Sequence, residues 1–136
     1  MSDLLALIAA YDDAWNRQDV EAISSLHAPD VVFHNHTAGE RVEGREAVAT
    51  HISAIFERWP TLRFSGRGQR AGDDFVVSEW TASATHPDDG RRLEWDGVDV
   101  FPIAADGRIA RKDVYSTSGT PRVLSTRPSA RMVSAS

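Results

Sequence analysis

The sequence predicts an α+β domain in which helices pack on one face of an antiparallel sheet. Apolar residues recur at helical spacing in three segments before Pro60, and from there the period switches to two and stays there. Turn signals separate the later, strand-like runs. The length sets the scale: 136 residues, 41% hydrophobic and 26% charged, suffice for one domain with a core of its own.

In the first segment Leu4, Ile8, Tyr11 and Trp15 share one stripe of a helix. Asp19 caps a second, short helix whose Val20, Ile23 and Leu26 face inward, ending near Pro29. "DVVFHNH" (30–36) alternates as a short strand, with Val31, Phe33 and Asn35 on one face and Val32, His34 and His36 on the other. "TAGERVEG" reads as a turn-rich connection. A third helix runs from Arg45 to Trp59 on the stripe Val48, Ile52, Ile55, Phe56 and Trp59, and Pro60 stops it. Four strands follow in "LRFSGRGQRAG", "DFVVSEWTASATH", "RRLEWDGVDVFPIA" and "RIARKDVYSTSG", divided by turns at Gly72–Asp74, Pro87–Gly90 and Ala105–Gly107. After Thr117 the composition shifts to Ser, Pro and Arg. Residues 1–117 are therefore expected to form a single domain, and 118–136 a tail that is mobile or packs on a partner subunit.

Composition narrows the function. A formal net charge of −5 gives no general attraction to nucleic acid. Cysteine is absent, which removes disulfides and thiolate chemistry and suits a reducing compartment. No long apolar run predicts a membrane span and no leader is evident, so the cytoplasm is the expected location. Of the 15 Lys and Arg residues one is lysine, Lys112, a bias read as compositional. Neither a phosphate loop, a nucleophile elbow nor a dinucleotide fingerprint occurs.

The stretch "LEWDGVDVF" (93–101) places Asp99 on the same strand face as Leu93, Trp95 and Phe101. A tight hairpin at Pro87–Gly90 sets Ala82 opposite Trp95 and Ser78 opposite Asp99, and a hairpin at Asp106–Gly107 sets Val114 opposite Asp99. Opposed residues share a face. Provided neither hairpin carries a bulge, one face gathers Trp80, Trp95, Phe101, small residues, Val114, His86 and Asp99, the make-up of a ligand pocket. Burial there would raise the pKa of Asp99 toward the range useful for proton transfer. Glu79, Asp113 and Tyr115 fall on the opposite face, toward solvent or a dimer interface. His34, His36 and His51 invite a metal reading, but the sequence fixes no third ligand, and no metal or other cofactor is assigned.

Three stretches, "AAYDDAWNRQDVEAISSLHAPDVVFHN", "GREAVATHISAIFERWP" and "EWDGVDVFPIAADGRIARKDVY", together resemble the nuclear transport factor 2-like superfamily, nearest its SnoaL-like polyketide cyclases and ketosteroid isomerases. The resemblance covers residues 3 to about 117. It implies a cone-shaped, curved antiparallel sheet wrapped around three N-terminal helices, a cystatin-like roll with a deep cavity, usually homodimeric. Tyr11 falls where the isomerases hold an oxyanion-donating tyrosine. Asp99 falls where they hold a protonated aspartic acid and where the cyclases hold their acid/base aspartate; His86 resembles the cyclases' pocket histidine. Where the isomerases place their proton-shuttling aspartate this chain has Asn35, which resembles the asparagine of the cyclases and epoxide hydrolases. Gly97 stands where the epoxide hydrolases carry an arginine.

The resulting expectation is a cofactor-independent enzyme of cyclase or isomerase type acting on a small apolar or polycyclic carbonyl compound. Asp99, His86, Tyr11 and Asn35 are its catalytic candidates. Trp15, Phe33, Phe56, Trp80, Trp95, Phe101 and Val114 are its substrate-binding candidates. Two alternatives stay open: a non-catalytic dimeric binding or interaction module of the same fold, and a hydrolase or dehydratase using an Asp–His pair.

Overall fold

A computed structural model describes residues 3–125. The chain order is α1 (Asp3–Asn16), α2 (Val20–Ser25), β1 (His27–Asn35), β2 (Glu40–Glu43), α3 (Arg45–Arg58), β3 (Arg63–Ala71), β4 (Phe75–Thr85), β5 (Arg92–Pro102), β6 (Ile109–Ser116) and β7 (Arg122–Ser125). Six strands lie in the order β2-β1-β6-β5-β4-β3, and β7 pairs with β5. Among the described residues no helix is long and apolar enough to cross a membrane.

The helices form for the reasons their spacing gives. Ile8, Tyr11 and Trp15 of α1 are buried, as are Val48, Ile52 and Phe56 of α3. The Asp19 side chain accepts from the Ala22 amide and caps α2. Gly44, at φ 98°, turns the chain into α3, a backbone conformation that residues with a Cβ rarely adopt.

The long hairpin β4–β5 pairs without interruption from Phe75↔Pro102 to Thr85↔Arg92, and it holds the expected registers Ala82↔Trp95 and Ser78↔Asp99. The β5–β6 pair likewise sets Asp99 opposite Val114. Asp99 therefore lies on the face that the helices cover. Gly97 stands opposite Trp80, and a Cβ there would lie 2.2 Å from the Trp80 ring, so the indole occupies the space a side chain would need.

Three features depart from the expected antiparallel sheet. First, β1 pairs with β6 in parallel, with Phe33 beside Lys112 and Asn35 beside Val114, so the curved sheet is mixed. Turn signals reveal hairpins between neighbouring strands; they carry no information about two strands separated by α3 and four further strands. Second, the stretch expected as a turn-rich connection contains β2, which pairs with β1 from Val32↔Glu43 to Asn35↔Glu40. Third, residues 122–125 add β7 to the same chain's β5 at Arg92–Glu94. The Arg122 guanidinium fastens it by donating to both Glu94 and Asp96. The expectation for the rest of the tail, residues 126–136, lies outside the described residues.

Candidate active site

A cavity of about 600 Å³ opens between α1, α3 and the inner face of the sheet. Its walls are aromatic and aliphatic, with Trp15, Phe33, Trp59, Phe64, Trp80 and Trp95 among them, and Asn35, Asp99, Lys112 and Val114 also line it. A second, smaller hollow of about 130 Å³ lies between α1 and β3–β4 and is bordered by Asp12, Asn16, Phe64 and Gly66. Trp15, Phe64, Trp80, Asp99 and Lys112 border both. The Asp99–Lys112 pair therefore stands where the two spaces meet.

Alternation along the strands puts both charges there. Asp99 points inward from β5, and Lys112 does so from β6 because it is two residues from the inward-facing Val114. Lys112 Nζ lies 3.8 Å from Asp99 Oδ2, with both side chains buried. That distance makes an ion pair and is too long for a hydrogen bond. The ammonium also sits 3.7 Å from the centroid of the Trp15 ring and 5.1 Å from that of Tyr11, so aromatic faces take part of the role that water would play. Asp99 Oδ1 and the indole nitrogens of Trp15 and Trp80 are buried with no hydrogen-bond partner among the described residues. All three belong to cavity-lining residues, and unpaired buried groups of this kind favour a ligand that brings a polar atom to them.

Burial dominates the proton affinities. It pushes the Asp99 carboxyl above its usual range, opposed by the Lys112 charge and by the Trp80 indole, which lies near the carboxylate without the geometry of a full hydrogen bond to it. It pushes the Lys112 ammonium down, opposed by Asp99 and Asp12. Asp12, on α1 beside the smaller hollow, is pushed up to about 6, chiefly by burial and against the pull of Lys112. Its Oδ2 accepts from Gln69 Nε2 at 3.1 Å, and the same amide reaches Ser78 Oγ at 3.3 Å.

The expected residues divide. Asp99, Asn35, Trp15, Phe33, Trp80, Trp95 and Val114 do line the large cavity. Asn35 uses its Oδ1 to accept from the Thr37 and Ala38 amides, holding the turn after β1. Phe56 lies behind Trp15, edge to face at 5.2 Å, and Phe101 packs edge to face on Tyr11 at 5.4 Å; both belong to the core outside the lining. Tyr11 is fully buried, and its hydroxyl is held by His27 Nε2 at 2.8 Å, so its hydrogen bond goes to the core and not to the cavity. His27 stays neutral: burial first, then the Lys112 and Arg45 charges, push its pKa down to about 3.

His86 is the clearest departure from expectation. It sits in the β4–β5 turn, where its Nδ1 accepts from the Asp88 amide and its ring meets Trp59. Along β4 it is roughly eight residues beyond the position opposite Asp99, on the order of 26 Å of strand. Parity places two residues on one face and says nothing of their separation along it, so no Asp99–His86 pair forms.

Lys112 and Asp12 escaped the sequence reading. The signal for Lys112 was present, since it shares the parity of Val114 and is the lone lysine among 15 basic residues. On the outer sheet face, ligand atoms of His34, His36 and Asp113 lie within 4.8 Å of one another, and His36 Nε2 is 2.9 Å from Asp113. Asp113 is thus the third group near these histidines that the sequence left undefined, although Arg111 already holds both of its carboxylate oxygens. His51 instead lines the large cavity, on α3.

The sequence profile of the SnoaL-like domain matches residues 8–112. No curated protein matches the chain. Among solved structures, SalBIII, an epoxide hydrolase/cyclase-like enzyme with a role in pyran ring formation in the polyether salinomycin, superposes with TM-score 0.80 at 20% identity, over 90% of this chain and 97% of that one. IdmH, a candidate polyketide cyclase from Streptomyces antibioticus, gives 0.75 at 24% identity, covering 86% and 94%. A cystatin-fold protein from Novosphingobium aromaticivorans gives 0.72 at 25%, covering 82% and 97%.

Proposed function

The chain belongs to the SnoaL-like domain family, and from that premise we propose that it is an acid/base enzyme of cyclase or isomerase type. Its substrate is a small apolar or polycyclic ketone that enters the large cavity. Asp99 takes the proton next to the carbonyl and returns it, and the Lys112 ammonium steadies the negative charge that develops on oxygen. A preorganised donor of this kind is worth roughly 2.7–4 kcal/mol of barrier. Asn35, on the cavity wall, helps to orient the substrate. The observation that carries the reading is the Asp99 carboxyl itself, buried among aromatic walls at a cavity of about 600 Å³ with Oδ1 unpaired. The hydrolase or dehydratase alternative would need a histidine other than His86, which lies in the β4–β5 turn away from Asp99.

The test is proton exchange. The bicyclic ketone 2-tetralone in deuterated buffer should lose its α-protons faster with the protein than without it, as read by NMR. Asp99→Asn should bring that rate down by about 10²–10⁴-fold. Exchange unaffected by the substitution would remove Asp99 from the chemistry and favour a binding module of the same fold.

A further inference from the structure

We propose that Lys112 is a covalent catalyst, its amine condensing with the carbonyl of a bound ketone to form a protonated imine for which Asp99 is the counter-ion. The inference rests on the acid/base reading above and adds a bond to it. Four observations support it. Lys112 is buried yet borders both hollows, so its nitrogen lies at the wall that a ligand carbonyl would reach. Its 3.8 Å separation from Asp99 Oδ2 leaves the nitrogen free of a hydrogen bond to that carboxylate. The Trp15 ring, 3.7 Å away, fixes the end of an otherwise flexible side chain. Asp99 stands on the neighbouring strand, within reach of any carbonyl carbon attached to Lys112.

The pair supplies the proton balance. Burial penalises both charges, raising Asp99 and lowering Lys112, so passing one proton from Lys112 to Asp99 removes two buried charges at once. In that neutral form the Lys112 nitrogen bonds to the carbonyl carbon while Asp99 gives its proton to the oxygen. Asp99 then takes one of the two nitrogen protons of this carbinolamine and passes it to the new hydroxyl, which leaves as water, giving a cationic C=N bond and the Asp99 carboxylate. Amine, carboxylic acid and ketone have then become iminium, carboxylate and water, with no change of oxidation state. The carboxylate next removes a proton from the carbon beside C=N, giving a neutral enamine that can attack a second carbonyl in the same molecule. Water returns the amine at the end.

The chain carries a single lysine, which makes the test direct. The unaltered protein is incubated with 2-tetralone and sodium cyanoborohydride, and the adduct is mapped by peptide mass spectrometry to separate position 112 from the N-terminal amine. The expected result is one reduced adduct on Lys112, with α-proton exchange in Lys112→Arg at the buffer background. Exchange by the native protein without an adduct at Lys112 overturns the imine and leaves the acid/base reading standing. An adduct whose loss in Lys112→Arg leaves exchange unchanged also overturns it, as a side reaction off the path. Neither exchange nor adduct overturns both. The mapping requires no variant, and if Lys112→Arg fails to fold, the native protein with Lys112 capped by the reduced adduct takes its place: exchange that survives the capping overturns the imine.

Discussion

Lys112 Nζ stands 3.8 Å from Asp99 Oδ2, and each side chain is 7% exposed. Two opposite charges at that separation attract strongly in a poorly polarisable interior, but each has given up its hydration to be there. Such a pair is a weak source of stability and a strong constraint on its members, because removing one strands the other.

Asp99→Asn should therefore cost stability as well as activity. Without its carboxylate the buried Lys112 must either hold its charge unpaired or give up its proton, which should destabilise the fold by up to about 3–5 kcal/mol. The double variant Asp99→Asn/Lys112→Met should recover most of that loss. Urea denaturation of the three proteins measures it; equal stability of the single and double variants would mean that the charges are not coupled.

Gly97→Ala should act through Trp80. The added Cβ would fall 2.2 Å from the indole, which must swing away from the sheet and into the space it lines. Overpacking of this kind costs about 1–3 kcal/mol. Binding of 2-tetralone, followed by tryptophan fluorescence, should weaken in parallel with the fall in stability.

Tyr11→Phe should leave a buried His27 nitrogen without its partner, at a cost of about 1–3 kcal/mol. Because the Tyr11 hydroxyl serves the core, the loss should appear in the thermal midpoint. A large fall in ketone exchange with no change in melting would show instead that the hydroxyl reaches the substrate.

Asp12→Asn tests the smaller hollow. The Asp12 carboxyl titrates near 6 in the folded protein against 3.8 as a free side chain, so between those values the native state binds the proton and the unfolded state does not. Stability contributed by this group is full below about 3.8 and declines as pH rises toward 6. Removing the carboxylate should thus raise stability at pH 7 by on the order of 2–3 kcal/mol and by little at pH 3.5. His27 runs the opposite way: its folded value of about 3 lies below its usual 6.5, so its contribution is full above 6.5 and is lost as pH falls toward 3. Denaturation of wild type and Asp12→Asn across this range separates the two.

Local periodicity determined most of the architecture. The stripes of α1 and α3, the Asp19 cap and the β4–β5 and β5–β6 registers depend on neighbours a few residues apart or on turns that join adjacent strands, and all are legible in the sequence. The same parity put Asp99 on the covered face. Tertiary structure alone decided the parallel β1–β6 pairing, the addition of β7 to β5 and the depth of each group within the cone. Parity gives a face but not a position along it, which is why His86 and Asp99 share a face and never meet. It also gives no partner, which is why Lys112, on the same face as Val114, acquires its meaning only when β6 lies beside β5 and α1 covers both. Proton affinity follows from that last step, since burial and the distance between charges belong to the assembled fold and not to the order of residues.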